Sequence, residues 1–526
     1  MRRARVGHAG ALLIVFVASL GGAISFAALV GGPVPGVHDE FSYLLAADTY
    51  ARGRLTNPAH PMWEHFVSPH VIQRPTYASK YQPAPGAALA LGQVVAGDPV
   101  WGLWMSVALM SVAVTWMLQG WLPARWALVG GLLTVLQFGI GGTWAQSFWG
   151  GAVPAGAAAL VFGALAPGRR GSWGGALALA AGSALLALSR PFEGFLVFAL
   201  ALGFLLLGSD GLRGPGLRRT LAVLAGTGLL GGAFMLHLNE RVTGDPFTMP
   251  YAQHAALQDA VPLFVFQELP AEPAYVDERL RRFHTEWEME WYVSQRTLSA
   301  RIAAALARPL MAGMDFFFGP PRNSPGSRPW IPSALLLPFL LVPHLLRRRE
   351  ARLALGACAG VFLALPLVTY FLPHYVAVLA GAWMLLVVES LRVLRAILRR
   401  HGLSRAVVPV AMVLSLILLV QAGLRQRTLL DPTDSWSLQR LELAGTLEEG
   451  GGDHLVLVEY APDYSLHAEW VYNSAEIDGQ AVVWARSLGP ERDATLLEYF
   501  EGRQAWRLWL EPDSAPRIRP VTAPVP

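Results

Sequence analysis

Lysine is all but missing from this chain. Among its 41 lysines and arginines, Lys80 is the only lysine. Charge of either sign is scarce: 15% of the residues are charged against 53% hydrophobic, with a mean hydropathy of +0.40. That balance excludes a soluble multidomain protein of this length and points to a multi-span membrane protein. Cysteine is represented once, by Cys358 inside an apolar run, so no intrachain disulfide is available and the thiol reads as a small buried hydrophobe. Ionisable side chains are nearly absent from the long apolar runs. One at the centre of a span costs about 2.5–3.5 kcal/mol, a cost that transporters and proton pumps accept because their path crosses the midplane. The chain instead gathers its charge at helix ends, which argues against transport and for chemistry at a membrane interface.

What is present is a long series of apolar runs. A hydrocarbon core about 30 Å thick needs roughly 20 apolar residues per helix, and candidates fall near residues 9–30, 101–118, 126–141, 152–166, 173–188, 195–208, 220–237, 331–346, 353–370, 374–391 and 406–422. The expected architecture is therefore an α-helical polytopic membrane protein of about 11 spans. Alternate connections carry the arginines: Arg125, "PGRRGS", "GLRGPGLRR", "LRRREAR" and "RVLRAILRRHGLSR". By the positive-inside rule these face the cytoplasm. The N-terminus is then cytoplasmic, and an odd number of spans places the C-terminus outside.

Two outer loops, 32–100 and 238–330, break the transmembrane domain 1–422. Within the second, "DERLRRFHTEWEMEWYVSQRTLSARIAAALARPL" reads as a helix, with Trp287, Trp291 and Tyr292 suited to an interface. Residues 423–526 read as a small extracytoplasmic α/β domain. There "HLVLVEY", "AVVWARSL" and "QAWRLWLE" have strand character, "ERDATLLEYFEGR" is helical, and a Pro-rich tail follows. Neither a Walker loop nor a dinucleotide fingerprint occurs in that domain.

Chemistry is suggested first by "PGVHDEFSYLLAADTYARGRL", in which Asp39 and Glu40 stand side by side just past the first apolar run. Helix capping explains one carboxylate. Two adjacent ones at a low-dielectric edge repel unless a cation or a proton donor compensates. Asp39 is the candidate general base, and Glu40 supports it or joins it in binding a divalent cation. His38 beside them is a candidate proton relay. Lys80, Arg74 and Arg190 are candidate phosphate ligands; for Arg74 a solvated charge, and for Arg190 an ion pair with Glu193, is the competing reading.

"HDEFSYLLAADTYARGRL" resembles the first outer-loop signature of GT-C glycosyltransferases, in the protein mannosyltransferase and lipid A aminoarabinose transferase branch, and of bacterial membrane proteins with this layout. "YASKYQPAPGAALALGQVV" is similar to the part of that pattern where Lys-x-Pro-Pro opens a surface helix, although here Ala84 separates Pro83 from Pro85. "PHYVAVLAGAW", with His374 and Tyr375, resembles the family's aromatic and proline motif near the outer end of a late helix. The resemblance implies an inverting transferase that moves a sugar from a polyprenyl-phosphate donor to an acceptor at the outer face of a bacterial inner membrane. His374 and Tyr375 would join the phosphate ligands. The implied partners are the lipid-linked donor, the bilayer and an acceptor that is a protein, a glycolipid or a polysaccharide, with no nucleic acid. The competing function is a non-enzymatic, membrane-anchored binding or assembly protein of the cell envelope.

Overall fold

The computed structural model describes residues 7–207, 213–318, 336–429 and 435–521. The chain divides into two compact units. The first comprises Met1–Pro33, Val100–Ala233 and Thr297–Arg427; the second comprises Val34–Pro99, Phe234–Arg296 and Thr428–Pro526.

In the first unit the apolar runs become helices: His8–Val30, Pro99–Trp121, Ala124–Thr134 with a π-helical extension to Gly139, Ala152–Ala164, Trp173–Ala187, Pro191–Leu207, Arg349–Ala364, Ala380–Leu398 and Val407–Leu429 among them. The Gly214–Thr243 helix runs from this unit into the second. Five described helices are long and apolar enough to cross a membrane: His8–Val30, Pro99–Trp121, Gly214–Thr243, Arg349–Leu367 and His374–His401. Several others are apolar but shorter, and the run expected at 331–346 begins outside the described residues. Small residues set the packing. Gly182 faces the Ala157 carbonyl so closely that a Cβ there would lie 2.6 Å from its oxygen, which draws the Ala152–Ala164 and Trp173–Ala187 helices together.

The second unit is built from three separate stretches of sequence. Its C-terminal portion is a four-stranded sheet in which His454–Tyr460 runs parallel to both Val482–Arg486 and Gln504–Leu510, and Arg517–Pro520 pairs antiparallel at the edge. The two parallel strands His454–Tyr460 and Val482–Arg486 are almost fully buried, and their near-continuous apolar sequence is the pattern that covering on both faces demands. The helices Trp436–Gly450 and Pro490–Tyr499 complete this portion. The edge strand occupies sequence that reads as a Pro-rich tail; residues beyond 521 lie outside the description.

Sequence contiguity would group the two loop segments with the helical domain, but they cluster with the C-terminal sheet. The reason is apolar burial: Leu45, Phe66, Val71 and Tyr77 from the first segment share one core with Leu455, Leu457, Val483 and Leu496. A correction concerns the helix expected to run through 277–310. It is interrupted: Glu278–Arg282 passes into a π-turn at Phe283–Trp287 and then into Glu288–Val293, and a new helix starts at Leu298.

Candidate functional site

The candidate site lies within the second unit and starts from the His38–Ala51 helix. Val37 enters it in an extended conformation. Glu40 turns back so that its Oε2 accepts hydrogen bonds from the backbone N–H groups of Gly36 at 2.7 Å and Val37 at 3.1 Å. Fully buried, it stabilises free N–H groups at the positive end of the helix. Of the adjacent pair, Glu40 is therefore the capping residue, and its engaged carboxylate argues against shared cation binding with Asp39.

Asp39 points elsewhere. Its Oδ1 accepts a hydrogen bond from the Tyr81 hydroxyl at 2.5 Å, and its Oδ2 lies 3.8 Å from Nε2 of His70. The side chain keeps 17% of its surface exposed, so it is held in place yet reachable. Burial first, and the neighbouring Asp39 second, push the Tyr81 phenol well above its ordinary range, so this hydroxyl keeps its proton and donates. Tyr81 is fixed by stacking on Tyr43 with ring centroids 4.5 Å apart. The Pro83–Ala96 helix that follows it approaches His38–Ala51 at Gly86, where a Cβ would meet that of Ala46 at 2.7 Å.

His70 and Lys80 complete the near surroundings. His70 adopts a left-handed backbone conformation, φ +67°, which is uncommon for any residue but glycine and concentrates at functional sites. Its carbonyl accepts from the Ser42 hydroxyl at 2.7 Å and from the Lys80 N–H at 3.3 Å. Burial, and then the charge of Lys80, hold the imidazole well below its usual pKa, so it is neutral near pH 7. Lys80, 4% exposed, carries its ammonium over the rings of Tyr251 at 4.9 Å and Tyr81 at 5.6 Å. His38 directs Nδ1 to the Tyr472 hydroxyl at 2.8 Å. Burial, followed by the field of His467, lowers its pKa to about 3.

Beyond His70 the polar cluster continues. Nδ1 of His254 lies 3.1 Å from Asp259 Oδ1, and Nδ1 of His284 lies 2.8 Å from Glu288 Oε2 and 3.8 Å from the same Asp259 oxygen. All four residues are buried. Burial alone would raise the Asp259 carboxyl, but His254 and Lys80 outweigh it and hold it well below the ordinary carboxylate range.

The remaining expected site residues are placed differently. Arg74 is exposed, with its guanidinium 5.2 Å from the Trp63 ring centroid, so the solvated alternative fits its surroundings and a role in the buried cluster does not. Arg190, His374 and Tyr375 belong to the first unit. There Arg190 lies over the Tyr375 ring at 4.7 Å, and His374 packs on Tyr375 and Trp149 at 4.9 and 4.5 Å.

Sequence reasoning missed Tyr81, His70, His254, Asp259, His284 and Glu288. Three of these had a local signal: Tyr81 follows Lys80 directly, and "HTEWE" sets His284 and Glu288 four residues apart on one helical face. His70, His254 and Asp259 are joined to the others only by the folding of separate segments.

No protein-family model and no curated protein matches the chain. Solved structures do. ArnT from Cupriavidus metallidurans, bound to undecaprenyl phosphate, is similar over 95% of this chain and 92% of its own length, with 13% identity and a TM-score of 0.52. The apo form of that protein matches 96% of this chain with a TM-score of 0.50. The apo oligosaccharyltransferase of Archaeoglobus fulgidus is similar over 96% of this chain and 70% of its own, at 10% identity and a TM-score of 0.50. This chain has the GT-C glycosyltransferase fold. The GT-C likeness spans nearly the whole chain and so takes in both units, and five of the described helices are long and apolar enough to cross a membrane.

Proposed function

We propose that this GT-C protein transfers a sugar from a polyprenyl-phosphate donor to an acceptor hydroxyl at the outer face of a bacterial inner membrane. The supporting observation is a carboxylate, Asp39, held by a protonated Tyr81 hydroxyl beside a neutral imidazole and near the chain's one lysine. ArnT, which shares the fold, was solved with undecaprenyl phosphate, a lipid of the donor class. In this reading about eleven spans carry the chain, the N-terminus is cytoplasmic, and the second unit with its C-terminal α/β portion is extracytoplasmic.

Asp39 takes the proton of the acceptor hydroxyl as its oxygen attacks the anomeric carbon. The bond from that carbon to the phosphate oxygen breaks with its electron pair, and the polyprenyl phosphate leaves from the opposite side, which inverts the configuration. Lys80 stabilises the departing phosphate charge from a largely desolvated position, where a point charge is worth more than in water. Tyr81 orients the Asp39 carboxylate. In the first unit, Arg190, His374 and Tyr375 form a second candidate phosphate-binding group.

The test supplies membranes containing the parent chain with a panel of labelled polyprenyl-phosphate sugars. Asp39→Asn is expected to abolish consumption of the one sugar the parent uses while leaving expression and insertion intact. Equal turnover by variant and parent removes Asp39 from the mechanism. A parent chain that consumes none of the panel, yet binds an envelope partner through residues 435–521, supports the assembly reading instead.

A further inference from the structure

The His254–Asp259–His284–Glu288 cluster has no place in the transfer chemistry, and it carries an imbalance that its own hydrogen bonds do not resolve. His254 Nδ1 and Asp259 Oδ1 are 3.1 Å apart, yet they are not aligned as a hydrogen bond, and neither atom has another hydrogen-bond partner. Nδ1 of His284 faces two carboxylate oxygens, from Glu288 and Asp259, with at most one proton to give. The Nε2 atoms of both histidines also lack partners. An unpaired buried polar atom costs about 1–3 kcal/mol, and several in one place signal a ligand that completes them.

The geometry fits such a ligand. One atom each from Asp259, His284 and Glu288 lie within 4.8 Å of one another, and this is the one grouping of its kind among the described residues. Four donors about 2.0–2.2 Å from a tetrahedral centre are separated from one another by about 3.3–3.6 Å. The separations of 2.8 and 3.8 Å from His284 Nδ1 to Glu288 and Asp259 bracket that spacing. One imidazole and two carboxylates form a mixed nitrogen and oxygen donor set that suits a borderline transition metal, and an oxygen-seeking calcium or magnesium ion fits it less well. The π-turn at Phe283–Trp287 lies immediately before Glu288, and such turns recur where a helix re-aims a functional side chain.

We infer that Asp259, His284 and Glu288 bind one divalent transition-metal ion of the zinc class, with His254 beside Asp259, in a structural site separate from the Asp39 carboxylate. The ion ties the end of the Pro250–Gln258 helix to the helix around residue 284 and so closes the irregular stretch 260–277 between them. Closing such a loop limits the freedom of the unfolded chain as well as holding the folded one. Its stabilisation is then independent of which sugar, if any, is transferred.

The experiment uses the full chain purified in detergent, stripped with chelator and dialysed against micromolar zinc(II). Metal analysis is expected to find about one zinc per chain, with at least a tenfold reduction in His284→Ala and Glu288→Gln, and zinc is expected to raise the melting temperature of the parent alone. Zinc-edge X-ray absorption on the parent keeps the test decisive if a variant fails to fold: imidazole scattering with nitrogen and oxygen neighbours supports the site. A parent that holds no zinc, zinc retained in both variants, or an oxygen-only first shell overturns it. Sugar transfer is not among the readouts, so failure of the metal site and failure of the glycosyltransferase reading are separately visible.

Discussion

Two buried polar clusters in the second unit make an instructive pair. Around Arg486, charge is neutralised within the chain. The guanidinium donates to Asp277 and to Glu469 Oε2 at 2.6 Å, while Glu469 Oε1 accepts from the Tyr460 hydroxyl and the Val471 N–H. Burial alone would raise the Glu469 carboxyl, but Arg486 and Arg279 hold it at about 2. Only Arg486 Nε and Arg279 Nη1 are left over. Around His38, His70, His254 and His284 the position is reversed. Each of these rings has at least one nitrogen without a hydrogen-bond partner, and imidazoles line the route from Asp39 to Asp259. A paired cluster fixes the fold, whereas an unfinished one is built for something that binds.

The sharpest break between the two comes from substituting one charge in each. Asp39→Asn should cut sugar transfer by about 10²–10⁴-fold, the range for loss of a general base, with a melting temperature close to that of the parent. Arg486→Ala should act in the opposite sense. Removing one partner strands Glu469 and Asp277 at a cost of about 3–5 kcal/mol, measured as a loss of stability in chemical denaturation. If Arg486→Ala leaves stability unchanged, the paired cluster does not hold the fold.

Acid should separate the clusters next. His38 binds its proton less readily folded, at about 3, than in the unfolded chain, where an imidazole titrates at its ordinary value of about 6.5. Its stabilising contribution is therefore complete above pH 6.5 and is lost as pH falls from there toward 3, at up to about 1.4 kcal/mol per pH unit. Glu469, depressed from 4.5 to about 2, adds its own loss only below about pH 4.5. Stability measured between pH 6.5 and 4.5 should thus fall with acid, and His38→Phe should flatten that slope. A parent with no slope in this window contradicts the buried, neutral state of His38. The smallest effect belongs to Tyr81→Phe, which removes one hydrogen bond to Asp39 and should lower turnover about tenfold, in line with about 1–1.5 kcal/mol; an unchanged rate would leave Tyr81 as packing.

Much of this was legible in the order of residues. The apolar runs, the strands "HLVLVEY" and "AVVWARSL", and the opening of a helix at Asp39 follow from local periodicity and capping, which act within a few residues. The roles of Asp39 and Glu40 were not separable in that way. Both stand in the first turn of one helix, and only the direction of each side chain distinguishes the cap from the partly buried acid held by Tyr81. Arg74 and Lys80 are both candidate phosphate ligands by sequence, and the solvated alternative given for Arg74 matches its exposed place over Trp63, whereas Lys80 is buried among aromatic rings.

By itself, then, the sequence determined the membrane class, the helical and strand segments, and the stretch in which the acidic pair would be found, because hydropathy and backbone capping are local quantities. The tertiary structure alone decided that three distant segments share one core and that Asp259, 25 residues before His284 in the chain, shares a buried cluster with it and with His254 and Glu288. Burial and electrostatic partnership depend on what lies across space, and linear order does not encode which histidine will be left without a partner.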